Sequence, residues 1–280
     1  MAGKEANALK PGDTIGIIGG GQLGRMLAMA AARLSLKTII LEPDTGCPAA
    51  QTANRHIAAA YDDEPALKEF SAACDVITYE FENIPVSAVS FLEENNLLFP
   101  SSLALEKSQD RLTEKNFLRD LGIVTAPFAP VEDVTSLKAA IGEIGTQAIL
   151  KTRRLGYDGK GQVRISKDND LEEAWQAIGA VPAILEGFVD FAREISVIAA
   201  RDRNGRVVCY DPAENVHREG ILRTSTVPAG ISPKTTAEAA KIAETITNAL
   251  DYTGVMGIEF FVLSDDALAV NEIAPRVHNS

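Results

Sequence analysis

Short apolar runs alternate with helical stretches over the first third of the chain. Thr14 to Ile18 is an apolar run, Arg25 to Leu34 repeats with helical period, and Thr38 to Leu41 is apolar again. The same alternation continues through His56–Ala60, Pro65–Ala73, Asp75–Tyr79, Val86–Asn95 and Leu97–Phe99. Strand–helix alternation with short loops predicts a parallel, doubly wound sheet. Ligands of such sheets lie outside the carboxyl ends of the strands, where Gln22, Glu42 and Glu82 fall. Glu82 at such an end suits either recognition of an amine or capping of the next helix.

The pattern changes near Pro100. Ser101 to Gly122 reads as charged helices in which Lys107, Arg111 and Lys115 share a face; Lys107 and Lys115 are expected to be solvated. A loop to Pro127 and a helix at Val134–Ile144 follow. The next strands are Ala148–Thr152, Val163–Ile165, Ala183–Val189, Ile195–Ala200 and Val207–Tyr210, with a helix at Leu171–Ile178. Pro212 to Gly220 reads as a polar loop holding His217, and Thr236 to Leu250 as an alanine-rich helix. Antiparallel strands with helices on one side predict an α+β domain. The expectation is therefore α/β overall, with one domain over residues 1–100 and a second over 101–280.

The second domain closes on two apolar runs flanking Ser264-Asp265-Asp266, the pattern of a β-hairpin. A turn centred between Asp265 and Asp266 sets Glu259 opposite Glu272. Opposed carboxylates repel unless neutralised, and Mg²⁺ is commonly held by one or two carboxylates plus substrate phosphates.

Composition narrows the ligand. The 280 residues carry a net charge of −12, which argues against nucleic-acid partners. Any phosphate site must be a local basic cluster, and Lys151, Arg153, Arg154 and Lys160 supply one around Gly156-Tyr157-Asp158-Gly159-Lys160-Gly161-Gln162. Glycines bracketed by strands make a strand–loop–strand lid over phosphates, a different device from the P-loop. The strand through Glu186 breaks at Gly187-Phe188-Val189, where freed backbone groups can read an adenine edge; Glu194 opens the next strand. Glycines 19, 21 and 24 match G-x-G-x-x-G, with Glu42 about 20 residues on. The physics supports only an anion at a helix N-terminus: a dinucleotide, a sugar phosphate or a carboxylate. Cys47, Cys74 and Cys209 are scattered and fit a reducing cytoplasm. No apolar run is long enough to span a membrane.

Four segments together resemble the N5-carboxyaminoimidazole ribonucleotide synthetases of the ATP-grasp superfamily. They are Gly19 to Met26, Glu80 to Pro85, Gly156 to Gln162 and Asn271 to Ser280. The resemblance implies an N-terminal ribotide-binding (preATP-grasp) domain followed by an ATP-grasp domain. It implies ATP contacts at Arg111, Lys151, Gly156, Tyr157, Asp158, Gly159, Lys160, Gly161, Gln162, Glu186, Gly187, Phe188, Val189, Glu194, His217, Asn271 and Glu272. Metal ligands map onto Glu259 and Glu272, for Mg²⁺ or Mn²⁺. Lys160, Tyr157, Asp158 and Arg276 take catalytic roles, and Gly21, Gln22, Leu23, Glu82, His278 and Asn279 hold the ribotide. The implied reaction is ATP-dependent carboxylation of aminoimidazole ribonucleotide by bicarbonate through carboxyphosphate, in a cytoplasmic homodimer of purine biosynthesis. Family members continue past Asn279-Ser280, so a chain shortened inside its last motif is expected, with ATP binding kept and full turnover in question. An NAD(P)-dependent oxidoreductase built on Gly19 to Gly24, or a nucleotide-binding module without turnover, are the competing readings. The first leaves the second glycine loop and the opposed carboxylates unexplained.

Overall fold

A computed structural model describes residues 8–156, 161–167, 170–218 and 220–280. The N-terminal part is a five-stranded parallel sheet in the order β3-β2-β1-β4-β5. Its strands are β1 (Thr14–Ile18), β2 (Lys37–Leu41), β3 (Arg55–Ile57), β4 (Val76–Tyr79) and β5 (Leu97–Leu98). Helices α1 (Gln22–Arg33), α2 (Glu64–Ala73) and α3 (Val86–Asn95) connect them. Both faces are apolar: Phe70, Leu67, Val89 and Leu92 pack on one, Ala28, Cys47 and Ala49 on the other. Gly16 in β1 admits the Phe70 ring, which a Cβ there would meet at 2.6 Å.

Two short helices, α4 (Ser102–Ser108) and α5 (Arg111–Asp120), lead into a four-stranded antiparallel sheet ordered β6-β9-β7-β8. It comprises β6 (Phe128–Val131), β7 (Ala148–Thr152), β8 (Gln162–Ile165) and β9 (Ala183–Gly187), covered by α6 (Val134–Ile144) and α7 (Leu171–Ala177). Asp133 caps α6 by accepting from the Ser136 amide at 2.7 Å, and Ser136 Oγ accepts from the Asp133 amide in return, which satisfies two otherwise orphaned donors.

The last sheet is antiparallel and built on β10 (Arg193–Arg201), with β11 (Val207–Cys209), β12 (Ala213–Arg218), β13 (Ile221–Thr226), β14 (Gly254–Val262) and β15 (Leu268–Ala274). Helix α8 (Pro233–Ala249) lays Ala239, Ala243 and Ile246 on Val197, Met256, Ile258 and Phe260. The other face of this sheet is the polar one.

Two readings of the sequence are corrected. The expected loop around His217 is the hairpin β12–β13, hidden in the sequence because its mostly exposed strands lack apolar alternation. Lys115 is 1% exposed, not solvated, because its helix face turns into the junction of the two later sheets.

Candidate active site

The polar face of β14 and β15 brings Glu259 and Glu272 opposite each other. The turn beneath is centred differently from expectation. Phe260 pairs with Val270 and Val262 with Leu268, which puts Asp265 at the centre. A bulge between Glu259 and Phe260 on one side and Asn271 on the other then restores the Glu259–Glu272 pair. The bulge follows from burial: Val270 and Ile273, three apart, both enter the core, which strict alternation forbids without one extra residue.

Each carboxylate has a partner cation or imidazole. Arg111 donates to Glu272 Oε2 at 3.2 Å and reaches the Gly156 carbonyl at 3.4 Å. Burial alone would raise the Glu272 carboxyl, but Arg111 and Lys151 hold it below its usual range. His278 Nε2 lies 3.3 Å from Glu259 Oε1. It packs against Gly257, where a Cβ would meet His278 Cγ at 2.7 Å. His217 Nδ1 lies 2.9 Å from Glu194 Oε2; burial leads in raising the Glu194 carboxyl, against the pull of His217.

On the facing sheet Lys151 donates to Glu186 Oε2 at 2.8 Å. Burial opposes ionisation of Glu186, yet Lys151 and Lys115 together hold its pKa at about 2. Glu186 Oε1 is buried and has no hydrogen-bond partner among the described residues. Beyond it, the N–H groups of Gly187 and Phe188 are already donated to Pro127 and Gln147 carbonyls at 2.8 Å. Those two amides are therefore not the free groups expected at the strand break; the half-buried Val189 follows them.

The expected basic cluster is also smaller. Arg153 pairs with Asp110, the cap of α5, at 3.0 Å, and with Glu132 at 3.3 Å. Arg154 donates to Gln109. Tyr157, Asp158, Gly159 and Lys160 lie outside the described residues. Gly161 follows at φ +69°, its carbonyl accepting from the Thr152 amide at 2.8 Å. A side chain there would strike Thr152 Oγ1 at 2.7 Å, so glycine is required.

At the N-terminal sheet, the glycine turn is filled from within the chain. Gly20 N–H donates to Glu42 Oε2 at 3.0 Å and Gly21 N–H to Glu80 Oε1 at 2.7 Å. Burial raises the Glu80 carboxyl, against the pull of the amide of Gly21. Only the amides of Gln22 and Leu23 have no acceptor among the described residues, so an anion at this helix would use those two. Glu42 also accepts from Tyr61 and, through its carbonyl, lies 2.8 Å from His56 Nε2. It is occupied within its own sheet, where a dinucleotide reading would need it on a ribose.

The two ends of the site meet across the domains. Glu82 pairs with Arg276 at 2.7 Å, and Gln22 donates to Asn279 at 2.9 Å. Ser280 Oγ contacts both Ser196 and His278 at 2.7 Å. Thus Gln22 and Glu82, expected on the first sheet, touch Asn279 and Arg276 at the end of the chain.

Two residues absent from the expected set sit under the site. Lys115 donates to the Asn271 carbonyl at 2.7 Å and stands 3.9 Å from Glu186. Glu114 accepts from the Ile273 amide at 2.6 Å, and burial pushes its carboxyl up to about 8 against the pull of Lys115. Their three- and four-residue spacing from Arg111 was the available signal.

A five-stranded parallel sheet, two antiparallel sheets carrying a lysine–glutamate pair, and an opposed glutamate pair define the class. The model of the ribonucleotide synthetase preATP-grasp domain matches residues 13–109, and that of the ATP-grasp domain matches 116–280. An N5-carboxyaminoimidazole ribonucleotide synthase of Brucella melitensis is 63% identical over 278 residues, covering 99% of this chain and 77% of its own. The Staphylococcus aureus N5-carboxyaminoimidazole synthetase structure, complexed with ADP, superposes with a TM-score of 0.93 at 42% identity, over 98% of this chain and 73% of that one. The Aspergillus clavatus enzyme, in complex with ADP and 5-aminoimidazole ribonucleotide, gives 0.88 at 28% identity, over 96% and 71%. The chain belongs to the N5-carboxyaminoimidazole ribonucleotide synthase family of ATP-grasp ligases. Among the described residues no helix is long and apolar enough to cross a membrane.

Proposed function

We infer that this chain catalyses the ATP- and bicarbonate-dependent carboxylation of 5-aminoimidazole ribonucleotide to its N5-carboxyamino product in purine biosynthesis. The observation that carries the reading is the convergence of three kinds of group: a lysine on β7, an opposed glutamate pair on β14–β15, and Glu82 after β4 paired with Arg276 beyond β15. Bicarbonate oxygen attacks the γ-phosphorus of ATP, ADP leaves, and carboxyphosphate forms. The exocyclic amine of the ribotide then attacks the carboxyl carbon, phosphate leaves, and the amine gives up a proton. Such chemistry asks the protein for positioning and charge neutralisation more than covalent help.

In this reading Lys151 offsets phosphate charge, and the nucleotide lies along Glu186 to Val189 with Arg111, Glu194, His217 and Asn271 about it. The partnerless Glu186 Oε1 suits a donor such as an adenine amino group. Glu259 and Glu272 fit a Mg²⁺ or Mn²⁺ ion: two carboxylates with phosphate oxygens completing the set is the usual arrangement. When bound, such an ion neutralises the charge that develops on the transferring phosphoryl group. Arg276 is assigned to neutralise the bicarbonate-derived anion. Gly21, Gln22, Leu23, Glu82, His278 and Asn279 hold the ribotide, with Glu82 on its amine. The phosphates are assigned to Gly156, Gly161 and Gln162 together with Tyr157, Asp158, Gly159 and Lys160, the last four of which lie outside the described residues. A division near Pro100 into ribotide and ATP-grasp domains, a homodimer and a cytoplasmic setting belong to the same proposal.

The test is calorimetry of Mg-ATP on wild type, Glu259→Gln and Glu272→Gln, with ADP and phosphate release followed with and without ribotide. Metal-dependent binding should vanish in both variants, and turnover should require the ribotide. Normal Mg-ATP binding by both variants would overturn the metal assignment; NAD binding in place of ATP would overturn the function.

A further inference from the structure

Strand β15 is the last strand of its sheet among the described residues, its outer edge meeting only an isolated bridge from Thr125 to Val270. Part of that edge is met by the loop before β6: Val270 N–H donates to the Val124 carbonyl at 2.8 Å. At the bulge, helix α5 takes over. Lys115 Nζ donates to the Asn271 carbonyl at 2.7 Å, and the Glu114 carboxyl accepts from the Ile273 amide at 2.6 Å.

These two backbone groups are the ones on either side of Glu272. The Asn271 carbonyl belongs to the peptide unit entering its Cα, and the Ile273 N–H to the unit leaving it. Holding both units fixes φ and ψ of residue 272, hence the direction of its Cα–Cβ bond. From the same face of α5, Arg111 holds the Glu272 carboxylate itself. The apolar pattern demands an extra residue between Val270 and Ile273; it does not say how rigidly that residue is held. A bulge leaves backbone groups unpaired, and water could serve them on an open edge. Here the groups serving them are 1% and 2% exposed. Burying a lysine is costly unless it is paired and hydrogen-bonded, and Lys115 is held by the Asn271 carbonyl and a carboxylate. That carboxylate, 3.9 Å away, is Glu186 on β9, so one ammonium ties the glutamate of the nucleotide strand to the bulge beside the opposed pair.

We propose that Glu114 and Lys115 are positioning residues that clamp the two peptide units flanking Glu272 and so hold its carboxylate opposite Glu259 for the metal-bound nucleotide. This rests on the metal reading of Glu259 and Glu272 given above.

The experiment uses the intact protein and measures ATP affinity by calorimetry with Mg²⁺ and again in EDTA. It compares Lys115→Met, Glu114→Leu and Glu114→Gln with Glu259→Gln and Glu272→Gln. Loss of a group that orients a metal ligand typically costs about 10–100-fold in metal-linked affinity. Lys115→Met and Glu114→Leu are therefore expected to lose at least about tenfold with Mg²⁺ and less than about threefold in EDTA. Glu114→Gln, which keeps an acceptor for the Ile273 amide, should stay close to wild type. A merely structural role would lower the melting temperature and leave the ratio of the two affinities alone; that result overturns the proposal. Should Lys115→Met fail to fold, the Glu114 pair carries the test, read also by hydrogen exchange of the Ile273 amide, expected to quicken in Glu114→Leu and not in Glu114→Gln. If the glutamate variants lose metal dependence while the α5 variants keep it, the clamp is wrong and the metal reading stands. If Glu259→Gln and Glu272→Gln bind Mg-ATP normally, the metal reading falls and takes the clamp with it.

Discussion

Two buried glutamates in this molecule are satisfied in opposite ways. Glu80, at the glycine turn of the first sheet, accepts from the backbone amide of Gly21. Glu186, in the cleft between the later sheets, sits beside the ammonium groups of Lys151 and Lys115. Both are nearly inaccessible, at 7% and 3% exposure, yet burial wins at Glu80 and raises its carboxyl, while the two lysines win at Glu186 and hold it at about 2. Dipoles offset only part of the cost of burying an anion; whole charges offset more of it. The turn therefore has a carboxylate poised to lose its charge, and the cleft has one that keeps it. That difference suits the two tasks. The first holds a loop shape, and the second neutralises two lysines drawn from different elements.

The largest effect should come from breaking the charged arrangement. Glu186→Leu leaves Lys151 and Lys115 facing each other with no anion between them. Removing one partner of a buried ion pair costs roughly 3–5 kcal/mol, so urea unfolding should shift by about that amount, and ATP should fail to restore it. A shift below about 1 kcal/mol would mean that the lysines relax to other partners. Acid should act on the same group. The folded pKa of Glu186 lies near 2, below its ordinary 4.5. Its stabilisation is therefore complete above pH 4.5 and fades as pH falls toward 2.

A smaller effect is expected at the turn. Gly21 has φ −71°, open to any residue, so its need for glycine is one of space. An added Cβ would lie 2.9 Å from Glu80 Oε1. Gly21→Val must push that carboxylate off the amide it serves, costing about 1–3 kcal/mol. Ribotide binding should fall while ATP affinity survives, because Lys151 and Glu186 lie in the other sheets. Calorimetry with each ligand decides it; loss of ATP affinity with ribotide affinity intact would reverse the roles of the two regions.

The contrast between the regions also marks what was legible in the chain. Period-two and helical patterns are local, so the parallel sheet and the closing hairpin could be read directly. The pairing of Glu259 with Glu272 was reached through a symmetric turn, whereas the molecule reaches it through a bulge at Asn271. The two routes agree in outcome because Ile273 must enter the core. What local pattern cannot convey is which distant group fills a backbone donor. Glu80 is 59 residues from Gly21, and only the adjacency of β1 and β4 brings them together. Lys115 reads as surface because its helix is rich in charge; its burial depends on β9 and β15 arriving from much later in the chain.

The smallest effect is the most discriminating. Glu80→Gln keeps an oxygen for the Gly21 amide and removes the charge. At neutral pH the change should move stability by less than about 1 kcal/mol, since a lost anion no longer has to be buried while the new amide nitrogen needs an acceptor. The pH dependence carries the information. The folded pKa of Glu80 is raised, with burial the largest cause. A raised carboxyl favours the folded state below its unfolded pKa, and that contribution is lost as pH rises through the folded value. Wild type should therefore lose stability relative to Glu80→Gln as pH increases from acid toward neutral. Glu186→Gln should show the opposite trend, with wild type gaining over the variant as pH rises from 2 to 4.5. Urea unfolding of the three proteins across both ranges measures each difference, and common titrations cancel in the subtraction. Equal slopes for the two variants would mean that amides and ammonium groups neutralise these carboxylates alike, and the contrast between turn and cleft would fail.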